Sequence, residues 1–199
     1  MSTERQEQIV RAALRILDDD GLEAVSLRAV AKALDVHLNT VSWHVGTKAR
    51  LRELMADAVL GDMSIEGLPA EWRARLHDLS SRYRAVLLTH RDGGTLVAGT
   101  YPAFGNTFRI REEFVSCLLD AGCDERDAAW TCWTVIYFTL GLVQEEQGAP
   151  ETGPVFGGDV PEDDYPALGR AMKHLTDGRF DARHRFGLDL ILSALPAGR

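Results

Sequence analysis

Within a few residues near its N-terminus the chain places Asn39, Thr40, Ser42 and His44, side chains that donate and accept hydrogen bonds as base edges and phosphate oxygens require. Leu38, just before them, suits contact with a thymine methyl. Arg28, Lys32, Lys48, Arg50 and Arg52 lie in the same stretch, against one acid, Asp35. The whole chain of 199 residues carries a formal net charge of -8, which argues against a general coat for nucleic acid. A basic reading head on an acidic body is the reading that fits both facts. Other groups that could do chemistry lack their partners. The 6 histidines (His37, His44, His77, His90, His174, His184) show no paired metal spacing. Glu145 and Glu146 are adjacent, so on a helix they point in different directions. His90-Arg91-Asp92 has the form of a kinase tripeptide, but no glycine-rich phosphate loop or strand lysine accompanies it. No catalytic residue, metal site or cofactor is expected, and a helical enzyme is the weaker alternative.

The elements that must position the polar cluster are helical. Leu27, Val30, Ala31 and Leu34 repeat at i, i+3, i+4 and i+7, and Ser26 is a fitting N-cap. Asp35 breaks that pattern and tolerates left-handed backbone. A second short helix is predicted over 38–45, with Val41 and Val45 inward, stopped by Gly46; Thr47 caps the next. This is the layout of a helix-turn-helix, whose second helix enters the DNA major groove. Before it, residues 3–20 form a helix with a Thr3/Gln6 capping box and an apolar stripe of Ile9, Ala12, Ala13, Ile16 and Leu17. After it, a connector helix over 48–63 turns Leu51, Leu54, Met55, Ala58 and Val59 to one side. The predicted organisation is a DNA-binding unit at 1–46, a connector at 47–63 and a second helical region at 64–199.

That region reads as a helix from Trp72 to about His90, a turn at 91–94, and helices near 95–100, 106–121, 124–147, 167–177 and 181–195. Residues 148–166 are rich in proline and glycine, lack periodicity and read as a mobile loop. No run alternates with period two, so the fold class is all-α. The 3 cysteines (Cys117, Cys123, Cys132) lack disulfide or metal spacing, and no signal pattern precedes Thr3; a cytoplasmic location is expected. The uncharged run at 128–143 is short for a membrane span and reads as a buried helix or a self-complementary face. Tyr83, Tyr101, Phe104, Phe108, Phe114, Trp130, Trp133, Tyr137 and Phe138 admit two readings: ordinary helical core, or a pocket for a flat, mostly apolar ligand.

Thr40, Val41, Trp43, His44, Val45, Lys48 and Leu51 fit the recognition-helix pattern of the TetR family of bacterial repressors, so the chain resembles that family. Ser42 departs, where a tyrosine is common, and Asp35 stands where the turn usually carries glycine. Residues 87–94 (LLTHRDGG), 99–102 (GTYP), 138–141 (FTLG) with Glu145, and 186–192 (FGLDLIL) resemble the tetracycline-repressor branch in order and spacing. The resemblance implies a homodimer built through 124–147 and 181–195, for which Leu188 and Ile191 are the expected contact positions. It implies double-stranded operator DNA and a small-molecule effector as partners, with no membrane. On the DNA, Ser26, Trp43 and Lys48 are expected at phosphate, Arg28, Asn39, Thr40 and His44 at base edges, Leu38 at a methyl, and Ser42 beside them. For the effector it implies Tyr83, Thr100, Tyr101, Pro102, Cys132, Trp133 and Ile136, with Phe104, Phe108 and Phe114 added from the aromatic set. Val97 stands where that branch uses a magnesium-binding histidine, Ser64 and Leu79 where a histidine and an asparagine grip the drug, and Tyr101 where an arginine stands; Glu145 alone survives of the metal pair. A hard cation needs an oxygen-rich shell, so a metal-independent site for a flatter, less polar, antibiotic-like molecule is expected. The functional expectation is a ligand-responsive repressor; the alternative within DNA binding is a regulator with no ligand.

Overall fold

The computed structural model describes residues 2–150, 160, 161 and 163–195, and among them the chain forms ten α-helices and no strand. They are α1 (Ser2–Asp20), α2 (Leu27–Ala33), α3 (Leu38–Val45), α4 (Lys48–Gly61), α5 (Trp72–Leu88), α6 (Gly93–Ala98), α7 (Gly105–Asp120), α8 (Glu125–Gly148), α9 (Pro166–Leu175) and α10 (Phe180–Ser193). Most of the proline- and glycine-rich stretch at 148–166, and the Thr3 side chain of the expected capping box, lie outside the described residues.

Caps visible in the sequence set several helix starts. Ser26 Oγ accepts from Ala29 N at 3.1 Å, Thr47 Oγ1 from Arg50 N at 3.1 Å, and the Asp124 carboxylate from Asp127 N at 2.8 Å. The turn between α2 and α3 passes through Asp35 at φ 51, where a short polar side chain takes the left-handed backbone that glycine usually supplies. Gly46, at φ 74, ends α3 in a conformation a β-carbon would strain. Ile9, Ala12, Ala13 and Leu17 of α1 close over Val25, Val30, Val41 and Val45, and all are buried. Leu51, Met55 and Val59 of α4 continue that core into the rest of the molecule.

In the larger region α8 is the central element, packed against α5, α6, α7 and α10. Its contact with α10 is tight at Gly187, where a β-carbon would lie 2.2 Å from the Phe138 ring. The turn expected at 91–94 is shorter than its sequence suggests. α6 starts at Gly93, where a β-carbon would lie 2.1 Å from the Leu87 carbonyl oxygen, so only a residue without a side chain fits.

Candidate functional site

Two regions hold functional side chains. The first is the outward face of α3 and its surroundings. Val41 and Val45 anchor the helix inward, which turns Leu38, Asn39 and Trp43 to solvent, with Thr40, Ser42 and His44 half-buried beside them. Trp43 is 87% exposed, an unusual place for the largest side chain unless that face meets a partner. Gln6 of α1 donates to the His44 carbonyl oxygen at 3.1 Å, which ties the end of α3 to α1. Arg28 and Lys48 are exposed at the starts of α2 and α4, and neither makes an ion pair among the described residues. Arg50 and Arg52 are engaged within the chain, Arg50 with Glu53 at 3.2 Å and Arg52 with Glu23 at 3.6 Å. A protruding helix with cations at both flanks is the shape that fits a major groove.

The second region is a cavity of about 250 Å³ between helices. Tyr83, Val97, Thr100, Tyr101, Pro102, Trp133 and Ile136 from the sequence reading all line it. The other expected ligand residues lie elsewhere. Ser64 is exposed and accepts from Glu66 N in its own turn. Leu79 and Phe114 are fully buried in the core, with Phe114 edge-on to Tyr83 at 6.1 Å. Phe104 lies under the Arg50 guanidinium at 4.1 Å, Phe108 faces solvent, and Cys132 is buried behind the wall. Glu145 is exposed, because one residue is about 100° of helix rotation: Gln144 faces the cavity, and Glu146 instead receives Arg84 at 2.6 Å.

The sequence reading missed several wall residues. Leu60 comes from α4, Thr107, Ile110 and Arg111 from α7, and Leu140, Gly141 and Gln144 from α8; Tyr137, one of the aromatic candidates, also lines it. No carboxylate, thiol or imidazole stands on the wall, so its donor set does not fit a divalent cation. Among the described residues no group of three or more His, Cys, Asp or Glu is placed to hold a metal anywhere. Arg111 is the cation of the cavity, 4.0 Å from the centre of the Trp133 ring, which itself stacks on Tyr137 at 5.1 Å. Burial pushes the Tyr83 phenol well above its ordinary range and the Cys132 thiol up to about 11, with the Arg111 charge opposing both.

The cavity and the reading face are physically joined. Thr107, on the wall, gives both its backbone N–H, at 2.8 Å, and its hydroxyl, at 2.7 Å, to Asp57 Oδ1 of α4. Asn106 donates to the other oxygen of that carboxylate at 3.0 Å. A second junction uses the residues that look like a kinase tripeptide. The Asp18 carboxylate of α1 accepts from His90 Nδ1 at 3.0 Å and from Arg91 N at 3.2 Å, and Asp92 accepts from Leu22 N at 2.9 Å. Their role in the fold is to bind the first helix to the α5–α6 turn.

An exposed recognition helix, carried by a helix that also walls an interior cavity, defines a helix-turn-helix regulator. The chain belongs to the TetR family of DNA-binding transcriptional regulators: residues 67–198 match the family described as "Tetracyclin repressor-like, C-terminal domain". It is 32% identical to the class C tetracycline repressor protein of Escherichia coli over 202 residues, which cover 98% of this chain and 92% of that one. In structure it is similar to ActR of Streptomyces coelicolor in complex with actinorhodin, with a TM-score of 0.83 and 25% identity over 94% of each chain. It is also similar to a variant TetR of Acinetobacter baumannii AYE in complex with minocycline, with a TM-score of 0.70 and 27% identity over 93% of this chain and 92% of that one. No helix among the described residues is long and apolar enough to cross a membrane.

Proposed function

We propose that the protein is a homodimeric repressor that holds two-fold operator DNA through α3 of each copy. It lets go when a small, largely aromatic molecule enters the cavity, with no magnesium requirement and no chemical turnover. The observation that carries this reading is the shared wall: Leu60 lines the cavity from α4, and Thr107 on the wall is bonded to Asp57 of α4. Any ligand that displaces α7 relative to α4 therefore moves the helix whose first residue, Lys48, stands beside the reading face. The ligand weakens DNA binding only by its preference for the displaced state. Two heads must meet grooves about 34–36 Å apart, so a small change in their separation loses many contacts together. In this division residues 1–46 read DNA, 47–63 transmit, and 64–199 bind effector and partner.

The dimer surface is the outer side of α8 and α10. Trp130, Phe186 and Leu190 are more than half exposed on these two helices, an apolar character that suits an isologous contact. Leu188 is fully buried within the chain and is replaced as a contact position by the exposed Phe186 and Leu190, with the half-buried Ile191 beside them. Two relatives in structure are in complex with actinorhodin and with minocycline, which supports a small-molecule effector.

The test begins by selecting operator sequences from random duplex DNA and footprinting them. A two-fold site protected by the wild type is the expected result. Calorimetry with tetracycline then separates the effector readings. Tight binding that appears only with magnesium would overturn the metal-independent site, and failure to enrich any duplex would overturn the regulator.

A further inference from the structure

The cavity contains a charge that the fold leaves unanswered. The other half-buried arginines of α5 and α7 each have oxygen partners: Arg84 meets Glu146 and Asp181, Arg82 meets Asp78, Arg75 meets Asp120, Arg73 donates to the Leu192 carbonyl at 3.2 Å, and Arg109 to the Met63 carbonyl at 3.0 Å. Arg111 alone in this set faces an aromatic ring and makes no hydrogen bond or ion pair among the described residues. Its neighbour Tyr83 is 3% exposed, lines the same cavity, and its hydroxyl has no partner among the described residues. Both groups face the open cavity with hydrogen-bonding capacity to spare, the phenol one donor and the guanidinium up to five, and a guest that brings oxygens can use them. Apart from Thr100, Thr107 and Gln144 the rest of the wall is apolar or aromatic, with Trp133 and Tyr137 stacked on each other.

We infer that the cavity takes a planar aromatic anion, its carboxylate or ionised phenol on the Arg111 fork, its ring against the apolar wall beside the Trp133–Tyr137 pair, and a further ligand oxygen at the Tyr83 hydroxyl. This deepens the effector reading and rests on it. A guanidinium pairs with a carboxylate through two parallel N–H donors, and keeps its flat face for the ring. The molecule is thus flat and mostly apolar, yet charged at one edge, which refines the expectation of a less polar ligand drawn from the lost histidine and asparagine.

The test uses a matched pair of probes, anthraquinone-2-carboxylate and anthraquinone-2-carboxamide, titrated against the full-length protein and followed by tryptophan fluorescence. The carboxylate should bind at least about tenfold more tightly than the amide. Arg111→Gln should remove that difference by weakening the carboxylate far more than the amide, with an unaltered thermal midpoint showing that the fold is intact. Equal affinities in the wild type, a preference that survives Arg111→Gln, or no binding of either probe would each overturn the inference. Release of selected DNA, measured with the same probes, keeps the two proposals apart. Carboxylate binding without release defeats the repressor reading alone, and release by both probes at equal concentration defeats the anion reading alone.

Discussion

In the helix-turn-helix unit the interior is apolar, built from Ile9, Ala13, Leu17, Val25, Val30, Val41 and Val45, and the polar groups that could meet DNA stand outside it. In the body the arrangement reverses. Ser80, Thr107, Thr139 and His184 are buried there, with Asp57 of the connector helix against Thr107, and each is bonded to another helix or its own. The head is a rigid carrier, whose function sits on a face that water already solvates. The body keeps polar groups inside, where each bond depends on how two helices lie. A low-dielectric interior makes such bonds strong when made and costly when broken, so the body has reason to exist in a small number of discrete packings. The difference teaches where a change of shape belongs: in the part whose interior polar bonds can be traded for others.

The largest effect should come from the surface the body offers to its own copy. Phe186→Glu with Leu190→Glu is expected to give monomers in sedimentation and to weaken binding to a two-fold operator by about 100-fold or more, the loss of bivalent attachment. A wild type that sediments as a monomer at micromolar concentration would break this side of the comparison. Next comes the junction. Asp57→Ala strands the Thr107 N–H and hydroxyl, while the Asn106 amide keeps the backbone carbonyl at 57, and should lower unfolding free energy by about 3 kcal/mol. Urea denaturation measures it, and a loss within about 0.5 kcal/mol would mean that the buried carboxylate holds nothing.

Acid should act on the body and spare the head. His184 is buried, 3.0 Å from Ser80 Oγ and stacked on Phe138; burial lowers its pKa to about 4, with Arg84 and His77 adding to the effect and Asp181 opposing it. Between its ordinary 6.5 and about 4 the unfolded chain binds a proton that the folded chain refuses. Stability contributed by this group is therefore complete above pH 6.5 and falls as the pH drops towards 4, by on the order of 3 kcal/mol. His184→Gln should flatten that part of the urea-midpoint profile. The smallest effects on stability belong to the head. Asn39→Ala should leave the thermal midpoint unchanged while relaxing preference at one base pair by about 1–3 kcal/mol. Lys48→Ala should weaken all duplexes alike and reduce the salt slope by about 1. A large change of midpoint in either variant would mean that the head's polar face also holds its fold.

The head was readable because its signals are local. Ser26, Thr47, Gly46 and Asp35 act within a few residues, and the 3.6-residue stripes of α1 and α2 name their own inner faces. The cavity was readable only in part, because its wall is a property of five packed segments and no single stripe encodes it. Phe104, Phe108 and Phe114 are alike in type and spread over ten residues, yet one lies under Arg50, one faces solvent and one is core. Arg111 carried no motif at all. An arginine on a helix is ordinarily a solvated charge, and only the position of Trp133 across the cavity shows otherwise.

Helix α7 begins behind Phe104, which offers its open N–H groups no side-chain cap, and the missing acceptor is Asp57 on α4. The start of one helix is thus written in another, about fifty positions earlier in the chain. That fixes where a DNA specificity could be transplanted. A foreign head joined at residue 46 leaves Asp57 in place, and the effector region keeps its own geometry. A graft carried through to Gly61 brings in the donor's residue at 57, and with it the donor's terms for how the effector helix begins. The portable unit of this molecule ends before its connector helix, and chimaeras cut on either side of Asp57 would differ in their response to effector while reading the same DNA.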